Sequence, residues 1–381
     1  MALVYSEFDT TAQNLVKDLK AKILTCTDWA DISIATPSTT LGSAAAAGAT
    51  TITVASSTNF TVGMVVVFEP GTANEEYRTI VTVPNGTSFT VAATTLAHAS
   101  GVTVRNGSAI LKATTARGAQ MVIDLADQHP TLQYLAVGFY RTHTGASGGG
   151  VDRLSRYVPF RSNTTGASFT MPLHVVLSVS KDHLFFSIEG PRATEAGTTS
   201  TTYGGVRCYC FMTDLVPYNA SDTTPAVVAF ASVTNTPSST TATQSHIAYI
   251  SRNFANTASW DTCRIASLSF LSAQAADTVA LRRACTIDGN YYLFPYVVFS
   301  EAEGMRGRLA MLFYAGSNAP TPTYDEPAPV GDTVTYGGNT YKITLTDRND
   351  GNGQSVWGAL GSSGNASANS NRSLAVALPV A

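Results

Sequence analysis

Along the chain, apolar residues recur mostly at every second position, in short runs separated by Ser, Thr, Gly, Asn and Pro. That period is the mark of half-buried strands. Residues 42–107 show it most clearly: Thr51 to Val54 alternates, Met64 to Phe68 is continuously apolar, and Tyr77 to Val83 alternates again. Asn85-Gly86 then supplies a pair suited to the positive φ angles of a tight hairpin. Pro37 to Thr40 and an alanine-rich run precede these strands, so a compact β insertion is predicted over residues 38–107. An insertion whose ends lie close together costs its host little stability.

One stretch has the helical period. Leu15, Leu19 and Ile23, beside Val16, form an apolar stripe within Thr10 to Thr25, with Lys17, Asp18 and Lys22 away from it. Thr10 and Gln13 fit a capping box. After the insertion, strands are predicted near Ser108–Ala113, Ala119–Leu125, Leu132–Arg141, Leu173–Ser180 and Leu184–Ile188. Further strands fall near Val206–Met212, Ala226–Ser232, His246–Ser251, Cys263–Phe270 and Tyr291–Phe299. Thr144 to Gly150 reads as a mobile glycine-rich loop, and Thr234 to Ser245 as a long polar one.

Pro320, Pro322, Pro327 and Pro329 mark an extended linker. Beyond it, Val334–Tyr336, Gly337-Gly338 and Thr340–Thr344 give a hairpin signal, with Trp357 expected to close a small core. Ser362 to Arg372 is low-complexity and expected to be flexible. The expected fold is mainly β: an antiparallel β-sandwich or barrel-like core with an N-terminal helix, one inserted small β domain and a C-terminal small β module. Residues 1–37 and 108–320 form the main domain, 38–107 the insertion, and 321–381 the linker, small module and tail.

Composition narrows the class. Of 381 residues only 13% are charged, about half the usual share, and Ser, Thr, Gly and Ala fill the gap. The net charge of −3 comes without basic runs, which argues against duplex binding, where a basic face neutralises phosphates. Met1 to Phe8 has neither the basic start nor the apolar core of a signal peptide. No apolar run reaches membrane-spanning length. The expectation is therefore no specific nucleic acid and no membrane insertion.

No residue pattern commits to catalysis. The cysteines at 26, 208, 210, 263 and 285 are odd in number and scattered, which is no disulfide framework. Cys208-x-Cys210 lacks a second short-spaced ligand pair for a metal. The six histidines include no H-E-x-x-H, and in Lys181-Asp182-His183 strand neighbours would point apart. Glu189, Glu195, Asp214, Glu301 and Glu303 are no more than chance supplies, and Asp347, Asp350 and Asn352 lack the remaining ligands of a calcium loop. Arg282-Arg283 and Gly304–Arg308 are the dense basic spots, suited to solvated surface or to an interface. The aromatics from Tyr291 to Phe299 read mostly as core, with one face available for subunit packing. No catalytic, cofactor-binding or metal residue is assigned, and no cofactor is expected.

The pattern GATTITVASST-NFTVGM, followed by EEYRTI and AHASGVTV, resembles small β domains recurrent in structural proteins of tailed bacteriophages. YLFPYVVFSEAEGMRGRLAMLFYAG, PVGDTVTYGGNTYKI and SKDHLFFSIEGPRATE with GGVRCYCFMTDLVPY have the same style. The resemblance implies a non-enzymatic virion component made in the host cytoplasm and assembled in many copies in the tail, neck or baseplate. Its implied partners are other copies of itself and neighbouring virion proteins. The alternatives are a receptor-binding, glycan-binding or capsid-decorating protein, with host surface glycans as partners, and then a tail-associated hydrolase.

Overall fold

The computed structural model describes residues 2–129, 134–146, 149–159, 171–189, 207–231, 248–252, 259–266, 292–300, 304–316, 333–336, 338–346 and 375–380. The polar loop Thr234–Ser245, the proline-rich linker, Trp357 and Ser362–Arg372 lie outside the described residues. The chain begins with β1 (Leu3–Thr10), α1 (Leu15–Ile23) and β2 (Ala30–Asp31). The stretch predicted as an insertion holds β3 (Ser38–Thr40), β4 (Thr51–Thr53), β5 (Val65–Phe68), β6 (Glu76–Asn85), β7 (Ser88–Val91) and β8 (Thr103–Asn106). Next come β9 (Ala109–Thr114), β10 (Gln120–His129), β11 (Tyr134–His143) and β12 (Gly150–Pro159). A run of antiparallel neighbours follows: β13 (Leu173–Ser180), β14 (His183–Glu189), β15 (Arg207–Pro217), β16 (Val227–Ala231), β17 (Ala248–Ile250), β18 (Asp261–Ala266), β19 (Tyr292–Ser300) and β20 (Gly304–Gly316). The last are β21 (Thr333–Tyr336), β22 (Asn339–Thr346) and β23 (Ala375–Val380).

The fold is mainly β, with a sandwich and two closed rings of strands. In the sandwich, the sheet β12-β11-β10-β9-β2 faces β1 and β13–β16. Leu111, Ile123, Val137 and Phe139 on one side meet Leu177, Phe186, Met212 and Ala229 on the other, and α1 adds Leu15, Val16, Leu19 and Ile23 to the same core. The helix covers its apolar stripe but is shorter than the predicted span Thr10 to Thr25. Thr10 ends β1, where its Oγ1 bonds the Asp18 carboxylate at 2.5 Å, and the cap position is Asn14, whose side chain makes no cap bond. Pairing β1 with β13 along eight residues outweighs the local capping signal.

The first ring closes inside the main domain. β15 pairs with β16, and each following strand pairs with the next as far as β20, which returns to β15 at Leu215–Pro217. It takes the edge that β14 vacates beyond Thr213. Phe211, Val228, Ile250, Cys263, Val298 and Leu309 point inward, one from each strand. Gly307 permits the closure: a Cβ there would lie 2.4 Å from the Val216 carbonyl oxygen. The C-terminal hairpin, predicted at the Gly-Gly turn, forms with Tyr336 opposite Asn339 and Gly338 at φ +81. It is continuous with the main sheet, because β23 runs between β22 and β20.

The second ring is made by β3–β8, in the order β3-β8-β5-β6-β7-β4. Leu41 and Val54 bridge its two ends, and backbone bonds from Gly42 to Thr53 (2.9 Å) and Ala55 to Thr40 (2.8 Å) seal the seam. Ile52, Val66, Phe68, Ile80, Phe89 and Val104 fill it. A closed ring leaves no open edge, which removes the usual route to unwanted strand pairing. Neither Asn85 nor Gly86 takes a positive φ. Instead the Asn85 Oδ1 accepts the Thr87 backbone N–H at 2.9 Å, so a side-chain turn replaces the expected glycine geometry.

Candidate functional site

The seam between barrel and host explains the uninterrupted apolar run at 64–68. Val66 and Phe68 point into the barrel, whereas Val65 and Val67, with Tyr77 of β6, lie in the host core beside α1 and β10. Lys17 of the helix donates to the Ala73 carbonyl at 3.0 Å. Gly107 presses against the same strand: its N–H bonds the Val65 carbonyl at 2.8 Å, and a Cβ would lie 2.7 Å from the Val66 carbonyl carbon. The barrel is docked by side chains as well as by its two chain connections.

Opposite this seam lies a buried charge network. His98, stacked on Phe68 at 4.9 Å, places Nδ1 2.9 Å from Glu69 and Nε2 2.7 Å from Glu76. Glu76 also accepts from Thr95 N (2.6 Å) and pairs with Arg78, whose Nε donates to the Ala93 carbonyl. Burial works to lower the His98 pKa, but hydrogen bonds and charge from Glu76 and Glu69 outweigh it and hold it above the ordinary value. Burial likewise opposes ionisation of Glu76, yet His98, Thr95 and Arg78 keep its pKa below the usual one. The network ties the loop 93–98 to β5 and β6. No local pattern in the sequence points to it, because the two carboxylates are 29 and 22 residues from His98.

His183 is where catalysis would first be sought. It faces Ser178 Oγ at 2.8 Å and Ser180 Oγ at 2.9 Å. The hydrogen bonds around the ring set its tautomer. Ser178 donates its proton to the Pro379 carbonyl (3.1 Å), so it accepts from His183 Nε2–H. With the ring proton on Nε2, Nδ1 accepts from Ser180 Oγ, which itself accepts from Asp182 N. The imidazole is thus neutral, a donor to Ser178 through Nε2 and an acceptor from Ser180 through Nδ1. Histidine and both serines are fully buried, and burial lowers the His183 pKa to about 3.

Asp182 does not extend a strand. With Lys181 it forms the two-residue connection between β13 and β14, since Ser180 pairs with His183. Its carboxylate accepts Ala116 N at 2.6 Å, and its carbonyl accepts Asp214 N at 2.9 Å. Asp214 accepts from Thr115 Oγ1 at 3.3 Å, with Arg117 Nε 3.9 Å away. Burial, then the like charge of Asp182, raises the Asp214 pKa to about 7 against the opposing pull of Arg117 and Thr115. These groups lock the Thr115–Gly118 turn of one sheet onto the β13–β14 connection and β15 of the other. A third buried aspartate, Asp124, is held by Ser108 Oγ (3.0 Å) and Arg153 (3.1 Å); burial raises its pKa despite the arginine.

The other sequence candidates scatter. Cys26, Cys210 and Cys263 are buried free thiols, and Cys208 shares β15 with Cys210. Glu189 is paired in register with Arg207 at the far end of β14 from Asp214. Glu195, Glu301, Glu303, Asp347, Asp350, Asn352, Arg282, Arg283 and Cys285 lie outside the described residues. The Gly304–Arg308 segment is part of β20, and Arg306 is buried rather than solvated. Tyr296 is core, as its neighbours in sequence suggested. The described ends of the glycine-rich loop are pinned by bonds from Gly145 N to His143 Nδ1 and from Thr144 N to the Gly149 carbonyl.

Among the described residues, no group of three or more His, Cys, Asp or Glu is arranged so that it could hold a metal ion, and no helix is long and apolar enough to cross a membrane. Large apolar side chains reach solvent at Val62 and Val81, 65% and 55% exposed on the barrel, and less so at Val151, Met171 and Tyr218. Compared with protein-family models, curated proteins and solved structures, the chain matches none.

Proposed function

We propose that the chain is a non-enzymatic structural component of a tailed-phage virion, assembled in many copies in the tail, neck or baseplate. The residue patterns of the insertion and the C-terminal half support this reading through their resemblance to structural proteins of tailed phages. The observation that carries it physically is the docked barrel. A six-stranded ring sealed on itself, yet keyed into its host by Val65, Val67 and Tyr77, is a rigid projection. Rigid projections suit a subunit that must hold two different complementary patches in fixed relation, as cyclic assemblies require. The buried ionisable groups point the same way, because each of them bonds one segment of the fold to another.

Density-gradient purification of particles from the encoding source, followed by mass spectrometry of the banded material, tests this. The chain should co-band with intact particles in multiple copies and resist a high-salt wash. Recovery only in the soluble fraction overturns the proposal.

A further inference from the structure

The sequence holds three Asn-Gly pairs, at 85–86, 106–107 and 352–353. An Asn-Gly pair can modify itself. The backbone nitrogen of the glycine, after losing its proton to hydroxide, attacks the asparagine Cγ. A C–N bond forms, the side-chain nitrogen leaves as ammonia, and a five-membered succinimide results. Water then opens either carbonyl, giving aspartate or, with the backbone rerouted through the side chain, isoaspartate. The reaction needs a glycine nitrogen free to move and a Cγ that is polarised. The third pair lies outside the described residues; the other two are placed in opposite circumstances.

At 106–107 the nucleophile is tied up. Gly107 N–H donates to the Val65 carbonyl at 2.8 Å, and Gly107 is buried with its backbone wedged against β5. Approach to Cγ would break the bond at the barrel–host seam. At 85–86 both residues are exposed, and nothing lies within 4 Å of where a Gly86 Cβ would sit. Gly86 contributes its carbonyl to Ser57 N (2.8 Å), and among the described residues its N–H has no hydrogen-bond partner. The electrophile, in addition, is prepared. Asn85 Oδ1 accepts Thr87 N–H at 2.9 Å, Ser88 Oγ at 3.0 Å and Thr87 Oγ1 at 3.2 Å. Three donors on one carbonyl oxygen draw electrons from Cγ and stabilise the oxyanion that forms as nitrogen attacks, the same electrostatic device that enzymes use in acyl transfer.

We infer that Asn85 is a self-modifying site: it deamidates through Gly86 to aspartate and isoaspartate, while Asn106 is protected by the fold. The product adds a negative charge at the exposed β6–β7 turn. In its isoaspartyl form it also lengthens the backbone between Asn85 and the Gly86 carbonyl that Ser57 uses, so the turn is remodelled where Ser57 Oγ bonds the Asn85 carbonyl at 2.6 Å.

The test is incubation of the purified full chain at mildly alkaline pH, with peptide mapping that separates asparaginyl, aspartyl and isoaspartyl forms over time. The Asn85 peptide should convert at least about tenfold faster than the Asn106 peptide, equivalent to about 1.4 kcal/mol between the two barriers. In concentrated urea, where both pairs are exposed chain, the two rates should converge. Thr87→Val with Ser88→Ala removes two of the three donors and should slow the native reaction at Asn85 without changing its rate in urea. Equal native rates at the two pairs, or faster conversion at Asn106, overturn the assignment. A native Asn85 rate untouched by the donor substitutions overturns the role given to the three donors.

Discussion

Replacing Asp214 with asparagine is the sharpest perturbation the structure offers. The amide keeps the shape of the protonated acid and can still accept from Thr115. An acid that ionises near 7 in the fold and near 3.8 in the unfolded chain disfavours folding at pH 8. That span is worth roughly 4 kcal/mol, at about 1.4 kcal/mol for each pH unit. The sign is opposite to that of a salt-bridged carboxylate. Between pH 4 and 7 the folded chain holds a proton that the unfolded chain has released, so stability falls as pH rises, and it is level above 7. Because part of the effect belongs to Asp182 and Asp214 as a pair, about 2 kcal/mol is the smallest gain expected for Asp214→Asn at pH 8. Urea unfolding followed by tryptophan emission suits the measurement, since Trp29 is buried and its Nε1 donates to the Ser180 carbonyl at 2.9 Å. The variant and parent should coincide near pH 4 and diverge in the variant's favour up to pH 8. Parallel curves, or a variant less stable at pH 8, refute the reasoning.

Three further outcomes follow from the same geometry. His183, with its pKa lowered to about 3 by burial, must be neutral in the fold, so stability falls as pH drops from about 6.5 toward 3; His183→Gln should flatten that acid limb in a denaturation series. Glu76→Gln leaves His98 and Arg78 buried without their shared carboxylate, which should cost about 3–5 kcal/mol, read by hydrogen exchange as loss of protection in β5–β8 before β13–β15. Gly107→Ala forces a Cβ against the β5 backbone and should destabilise by about 1–3 kcal/mol, with thermal unfolding monitoring the seam.

The class of the fold was legible because period-two patterning survives wherever one face of a strand is buried. β13 and β14 were located to within a residue, and the β21–β22 hairpin followed from its glycines. β1 was missed because Val4 and Phe8 serve one core while Tyr5 serves another, so no clean polar face marks it. β12 was missed because its arginines and Asp152 at φ +50 make it a charged, interrupted edge. Closure of the two rings was invisible, since it rests on short pairings that carry no pattern of their own: Leu41 with Val54, and Leu215–Pro217 with Gly307–Leu309. The polar networks hid for the same reason. Asp214 is 99 residues from Thr115, and no spacing rule reaches across two sheets. His183 was singled out in sequence, but its serine partners on the neighbouring strand β13 were not, and they set which ring nitrogen donates.

Immunogold electron microscopy of purified particles, with antibody raised against the chain, tests the central claim most directly. Gold should be confined to the neck, tail or baseplate, in a number per particle that indicates several copies. Washed particles that carry no label contradict it.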